Sequence, residues 1–211
     1  MAGSPGAGKG THGRLLAAKL GVPHIAMGDL LRDEINAGSP VGLAVKEYVD
    51  RGDYVPDEVI MKLIAQRLAQ SDAENGFILD GFPRTDAQAT QLDKLLADDG
   101  HAIDAVILLE VPTEEIVRRL SGRRTCPVCQ RSYHVEDDPP REDERCDEDG
   151  TPLEARSDDE PDTVRHRLRV YAERTADLLD HYDTDSIVRR VDGLASVDEV
   201  ARRIEEALGL R

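Results

Sequence analysis

Gly3-Ser4-Pro5-Gly6-Ala7-Gly8-Lys9 has the residue types and order of a loop that cradles phosphate, matching the pattern G-x-x-x-x-G-K. Small residues let successive backbone N–H groups turn toward phosphate oxygens. The N-terminus of a following helix and the lysine ammonium then add positive potential. The strict pattern places Ser or Thr directly after the lysine, whereas here Gly10 intervenes before Thr11. A second chemical set is formed by the three cysteines. Cys126-Pro-Val-Cys129 has the two-residue spacing of a metal-binding turn, and Cys146-Asp-Glu-Asp149 offers a second such turn across an irregular segment. Three clustered cysteines point to a metal before a disulfide framework. His134, Asp147, Glu148 and Asp149 all compete for the fourth ligand position.

The rest of the composition narrows the field. The chain has 211 residues, 39% hydrophobic and 33% charged, which suits one globular core with small inserted modules. Lys plus Arg total 27 against 43 Asp plus Glu, a formal net charge of −16. Such a field repels a nucleic-acid backbone but leaves room for small phosphorylated ligands held by a local arginine cluster. Arginine greatly outnumbers lysine, and its planar fork suits carboxylate and phosphate. No apolar run reaches the ~20 residues of a membrane span. The first residues lack the basic and apolar regions of a signal peptide, so a cytoplasmic location is expected.

These residues need elements to position them. Periodicity predicts a helix over 11–20 with Leu15, Leu16 and Leu20 on its apolar side, and a short strand over 22–26. Helices are predicted over 29–36, 41–50, 56–70 and 86–96, with a short buried strand over 77–79 ending at Asp80. Ala105–Val111 is nearly continuous in apolar residues and reads as an interior strand, stopped by Pro112. A helix follows over 113–120. Residues 122–159 have little apolar content and almost no period, so they need either disorder or a metal staple. A long helix over 163–179, a strand over 186–191 and a helix capped by Ser196 with Glu199 complete the chain. Alternating strands and helices imply a mostly parallel sheet covered on both faces. His12 is expected to face away from the phosphate loop, and His24, His101, His166 and His181 to be surface or packing residues.

Further short motifs lie along nearly the whole chain: GDLLR at 28–32, DGFPRT at 80–85, GRR at 122–124, YHVEDDPP at 133–140, RSDD at 156–159 and TVRHRL at 163–168. With GSPGAGKGT at 3–11, their order and spacing resemble the adenylate kinases, in particular the long-lid bacterial type. The resemblance implies an α/β, P-loop NTPase-like three-layer sandwich around a five-stranded parallel sheet. It also implies a core of residues 1–26, 57–118 and 160–211, a monophosphate-binding insert over 27–56 and a lid over 119–159. The implied reaction is reversible phosphoryl transfer from ATP to AMP, giving two ADP.

The resemblance also implies roles. Lys9, Arg84, Arg123, Arg156 and Arg167 would be catalytic. ATP would lie against Gly6, Ala7, Gly8, Lys9, Gly10 and Thr11 of the loop, and against Arg119, Arg123, Ser132 and Tyr133. AMP would meet Met27, Arg32, Tyr54, Val55, Gly81, Arg84, Gln88, Arg156 and Arg167. Asp80 would hold the magnesium shell, and Asp158 and Asp159 would fasten the closed lid. One structural Zn2+ would bind Cys126, Cys129, Cys146 and Asp149, and Mg2+ would accompany ATP. The residue chemistry agrees, because fixed cations stabilise the charge that builds on transferring phosphoryl oxygens. No nucleic acid, membrane or obligate protein partner is implied, and a monomer is expected.

Two departures from the family pattern stand out. Met27 precedes Gly28-Asp29 where the family usually has threonine, which opens the question of acceptor-base selectivity. Only Met1 and Ala2 precede Gly3, so the first strand is expected to be cut short. The alternatives are a nucleoside monophosphate kinase with another donor or acceptor base, and a nucleotide-binding regulator of low turnover. A zinc-ribbon nucleic-acid module is disfavoured by the acidic segment around the cysteines.

Overall fold

The structure is a computed structural model that describes residues 1–183 and 186–210, apart from the side chains at 176 and 177. In chain order, its elements are α1 (Lys9–Leu20), β1 (His24–Ala26), α2 (Met27–Asn36), α3 (Pro40–Arg51), α4 (Asp57–Leu68), β2 (Ile78–Asp80), α5 (Asp86–Asp98), β3 (Val106–Glu110), α6 (Thr113–Ser121), β4 (Arg123–Thr125), β5 (Ser132–His134), α7 (Pro161–Asp183), β6 (Val188–Asp192) and α8 (Val197–Ala207). Short 3-10 turns occupy Ser71–Ala73 and Ser157–Asp159.

The core sheet is parallel. β1 pairs with β2 in the register Ile25 to Leu79, and β3 pairs with β6 in the register Leu108 to Arg190. Between β2 and β3 lie only Met1 and Ala2. The Ala2 N–H donates to Ile107 O at 2.7 Å, Leu109 N–H returns a bond to Ala2 O at 3.0 Å, and Met1 N donates to Leu79 O at 2.6 Å. The central place is therefore held by two residues, as expected from the short start. Beside them a cavity of about 410 Å³ runs between β2 and β3, walled by Leu16, Ile78, Leu79, Ile107 and Leu178 among others.

Helices cover both faces, as the uninterrupted apolar run of β3 requires. Ile107 and Leu109 pack with Leu16 of α1 and with Val200 and Ile204 of α8. Ala89 of α5 packs with Leu178 and Tyr182 of α7 on the other side, against Val106 and Val188. Helix starts follow local chemistry. Thr85 Oγ1 accepts from Gln88 N–H at 3.2 Å at the head of α5, and Ser39 Oγ accepts from Gly42 N–H at 2.9 Å at the head of α3. Ser196 caps α8 through Glu199 N–H at 3.4 Å, but the Glu199 carboxylate turns to Arg202 and Arg203, so the reciprocal half of the capping box is not made.

Two expectations need correction. Leu15 and Leu20 are about half exposed, and the buried face of α1 is His12, Gly13, Leu16 and Ala17. The segment after Gly122 is not wholly irregular: β4 and β5 form an antiparallel pair, Arg124 opposite Tyr133. Its apolar core is small, with Cys126, Tyr133 and Cys146 packed against Leu153.

Candidate active site and metal centre

The phosphate loop sits where the sequence places it, directly before α1. Gly6 and Gly8 have φ of 83° and 94°, and a Cβ on Gly6 would stand 2.9 Å from Leu120 Cγ, so the turn needs glycine on both conformational and steric grounds. Lys9 Nζ folds back over the loop and donates to Gly3 O at 2.8 Å and Ser4 O at 2.9 Å. Burial, reinforced by Arg84, Arg167 and Arg123, pushes its ammonium down to about 8, with Asp80 opposing. Three of the expected catalytic arginines thus lie near enough for their charges to act on Lys9.

The remaining arginines join the same cluster. Burial, then Arg123 and Arg32, lower the Arg156 guanidinium to about 9. Arg156 Nε donates to Thr125 Oγ1 at 3.0 Å, and its Nη2 reaches Ser132 Oγ at 3.4 Å. Two carboxylates supply the counter-charge. Asp159 takes Arg123 through bonds of 2.7 and 2.5 Å, and Asp158 Oδ2 lies 2.7 Å from Arg167 Nη1. Burial alone would raise the Asp158 carboxyl, but Arg167, Arg123, Arg156 and Arg32 together hold it below the usual carboxylate range. Several guanidiniums facing two carboxylates form a site with an excess of positive charge, suited to phosphate.

Beside this cluster is a cavity of about 80 Å³. Eight of the nine expected AMP-site residues line it: Met27, Arg32, Tyr54, Val55, Gly81, Arg84, Gln88 and Arg167; Arg156 stands apart, on the lid side. Arg84 donates from Nε to Gly81 O at 2.7 Å and lies 5.1 Å from the Tyr54 ring centroid. Gln88 is buried, with Oε1 accepting from Arg84 N–H at 2.8 Å and Nε2 donating to Asp57 Oδ1 at 2.6 Å. Asp57 therefore fixes which way the amide points, a role that no sequence signal indicated. Met27 is also buried, at the start of α2.

On the other side of the loop, Arg119 donates to Glu115 Oε1 at 2.7 Å and to Gly193 O at 3.0 Å. Thr11 is exposed at the start of α1. Tyr133 is placed differently from the simplest expectation. Its ring is buried in the β4–β5 segment, and its hydroxyl meets Cys146 Sγ at 3.5 Å, so the side chain faces the cysteine cluster. One histidine also needs correction. His12 is buried against Gly8, and burial, with Arg119, pushes its imidazole down to about 4. His24 is a half-buried packing residue, with Nε2 3.4 Å from Asp80 Oδ2.

Asp80 is buried among Lys9, His24 and the Met1 amino group. Burial would raise it, but His24, Lys9 and the amino group outweigh that and keep it ionised. An ionised carboxylate at the mouth of a phosphate loop fits a magnesium shell.

The lid holds the second centre. One ligand atom from each of Cys126, Cys129, Cys146 and Asp149 lies within 4.8 Å of the other three. Cys129 and Cys146 sulfurs are 3.5 Å apart, and Cys126 Sγ is 3.4 Å from Asp149 Oδ2. Zn–S bonds of about 2.3 Å in a tetrahedron require sulfur separations near 3.8 Å, so the donor set fits zinc. His134 is turned elsewhere, with Nδ1 accepting from the backbone N–H of Glu136 and Asp137.

A family model described as adenylate kinase matches residues 1–187. The chain belongs to the adenylate kinase family. It is 48% identical over 208 residues to an adenylate kinase of Salinispora tropica, covering 99% of this chain and 96% of that protein. It is 49% identical over 208 residues to one of Symbiobacterium thermophilum, with 99% and 96% covered. An adenylate kinase of Archaeoglobus fulgidus is 47% identical over 206 residues, with 98% and 95% covered. The adenylate kinase fold accounts for the parallel strands and the phosphate loop. No described helix is long and apolar enough to cross a membrane.

Proposed function

We propose that this chain catalyses reversible transfer of the γ-phosphoryl group of ATP to AMP, giving two ADP. The observation that carries the reading is that Arg84 and Arg167 line the Met27–Gln88 cavity, while Arg167 and Arg123 share the Asp159 carboxylate beside it. An AMP phosphate oxygen attacks the γ-phosphorus as the bond from that phosphorus to the β-bridging oxygen breaks. One ADP forms on each side. The acceptor is already an anion, so no general base is needed. Fixed guanidiniums stabilise the charge spread over the transferring oxygens, each such contact being worth roughly 10²- to 10³-fold in rate.

Lys9 reaches donor phosphates once it leaves the Gly3 and Ser4 carbonyls, with backbone N–H groups of Gly6 to Thr11 around them. Asp158 and Asp159 hold Arg167 and Arg123 in place and fasten the lid. Arg32 and Arg84 take the acceptor phosphate, while Gln88 and Met27 meet its base. Arg119, Arg123, Ser132 and Tyr133 border the donor. Asp80 would hold the Mg2+ that accompanies ATP, which supplies neutralisation of the donor phosphates. The zinc would be structural, since four protein ligands fill a tetrahedron and no position is left for substrate.

In this reading residues 27–56 form the acceptor insert, 119–159 the lid, and the remainder a core that acts as a monomer. Closure of the lid keeps water from competing for the phosphoryl group. A small phosphorylated substrate pair and the lack of any membrane-crossing helix among the described residues agree with a place in the cytoplasm. The test is a coupled assay for ADP formed from ATP and AMP, repeated with GMP, CMP and UMP. Arg84→Ala should keep its fold by circular dichroism and lose at least ~10²-fold in kcat. A folded variant with near-parental kcat would remove Arg84 from the mechanism.

A further inference from the structure

Gln130 holds a backbone conformation that its side chain disfavours, at the point where the lid meets α1 and α2. The two metal-binding turns of the lid are built alike. Cys126 N–H donates to Arg131 O and Gln130 N–H to Cys126 O, at 2.9 and 3.0 Å. In the second turn Cys146 N–H donates to Thr151 O and Gly150 N–H to Cys146 O, both at 2.9 Å. Gln130 and Gly150 thus occupy the same place in two copies of one turn, with φ of 60° and 72°. Glycine adopts that conformation freely, whereas a side chain there is strained. The turn itself does not need the strain, because its second copy forms with glycine. An outlier of this kind is a reason to ask what the side chain does.

Gln130 is buried, and each of its polar groups is engaged. Its Oε1 accepts from Arg32 Nε at 3.2 Å, and its Nε2 donates to Pro127 O at 3.1 Å, which fixes the amide orientation. Its backbone carbonyl accepts from Arg14 Nη2 at 2.7 Å. Arg14 and Arg32 both also reach the Asp29 carboxylate, at 3.3 and 2.5 Å. One lid residue is therefore bonded to α1 and to α2 at once, and its partner on α2 lines the acceptor cavity.

We propose that Gln130 is a positioning residue that couples closure of the donor lid to the acceptor site. Closure brings its amide oxygen onto Arg32 and its carbonyl onto Arg14, and so sets the Arg32 guanidinium toward the acceptor phosphate. With the lid open, Arg32 keeps Asp29 and is free to turn. Acceptor affinity then depends on whether a donor has closed the lid, and Gln130 carries that dependence. The inference rests on the reading in which Arg32 binds the acceptor phosphate.

The test is Gln130→Gly, which removes the side chain, keeps the carbonyl and suits the backbone. Its melting temperature and zinc content should equal or exceed those of the parent, so misfolding does not confuse the result. At saturating ATP its KM for AMP should rise about three- to tenfold, the scale of one lost hydrogen bond to a charged group. The Kd for AMP alone, measured calorimetrically without donor, should stay unchanged. Arg14→Leu should move the same two quantities in the same directions, and Gln130→Glu, which keeps an acceptor for Arg32, should restore the KM. An unchanged KM for AMP in Gln130→Gly at saturating ATP overturns the proposal. Arg32→Ala separates the two layers. If it binds AMP as the parent does, the acceptor reading falls and the coupling with it. If it loses AMP while Gln130→Gly behaves as the parent, the coupling alone falls.

Discussion

The Met1 amino group donates to the Leu79 carbonyl at 2.6 Å, in the place where a parallel strand between β2 and β3 would put a backbone amide. Burial, against the help of Asp80, pushes that amino group down to about 6. The two residues Met1 and Ala2 bond to both flanking strands, and the cavity of about 410 Å³ continues their line. Alternate residues of a parallel strand direct their backbone groups to one side. Ile107 and Leu79 thus turn toward the same gap that Met1 and Ala2 only begin to fill.

An extension of about five apolar residues upstream of Met1 should therefore raise stability. It replaces a buried ammonium by a neutral amide and fills the gap with side chains worth ~1.5–3 kcal/mol each. The extended and parental chains should be compared by thermal melt and kcat. The expected outcome is a higher melting temperature and a higher kcat for the extended form, because the strand also anchors the Gly3–Lys9 loop. Equal melts would mean that the cavity walls close on themselves at no net loss.

Metal analysis of protein purified without chelator should find about one zinc per chain. The segment has few apolar residues to fold around, so a bound metal would supply the folding energy that a core otherwise provides. Chelation should lower the melting temperature through linkage, with the lid opening first. Zinc-free protein with three freely reactive thiols and an unchanged melt would refute the site.

Met27 replaces a hydroxyl with a long thioether at the buried start of α2. In the proposed acceptor site it would pack on the base without testing its polar edge, leaving that task to Gln88. Met27→Thr should sharpen the preference for AMP over GMP, CMP and UMP in kcat/KM by at most a few kcal/mol. Parental discrimination already above ~100-fold, and unmoved by Met27→Thr, would show that packing suffices.

His12 should make the fold acid-sensitive. Its folded pKa is lowered from 6.5 to about 4 by burial and by Arg119. Above 6.5 the imidazole is neutral in both states, and its contribution to stability is fully present. As pH falls from 6.5 toward 4 the unfolded chain binds a proton that the folded one refuses, so stability is lost progressively, up to roughly 3 kcal/mol. Denaturant midpoints between pH 7 and 4 should fall more steeply for the parent than for His12→Gln. Parallel slopes would place the proton uptake elsewhere.

Much of this arrangement was legible in the sequence because it is local or carried by ordered motifs. The phosphate loop needs glycines at fixed places in one turn, and each metal turn needs ligands two residues apart. β3 announces itself by an apolar run that only an interior strand can hold. Ser196 marks a helix start because its side-chain oxygen can reach an N–H three residues on. What the sequence could not determine depends on pairs far apart in the chain. Asp57 orients Gln88 across 31 positions and Gln130 meets Arg14 across 116. His12 looks like an ordinary polar residue until packing buries it beside Gly8. Likewise the exposure of Leu15 and the inward ring of Tyr133 follow from which neighbours the sheet and lid bring to them. Residue type and spacing decide what chemistry a segment can do. Burial, charge and orientation arise only when distant segments exclude water from one another, and those are tertiary quantities.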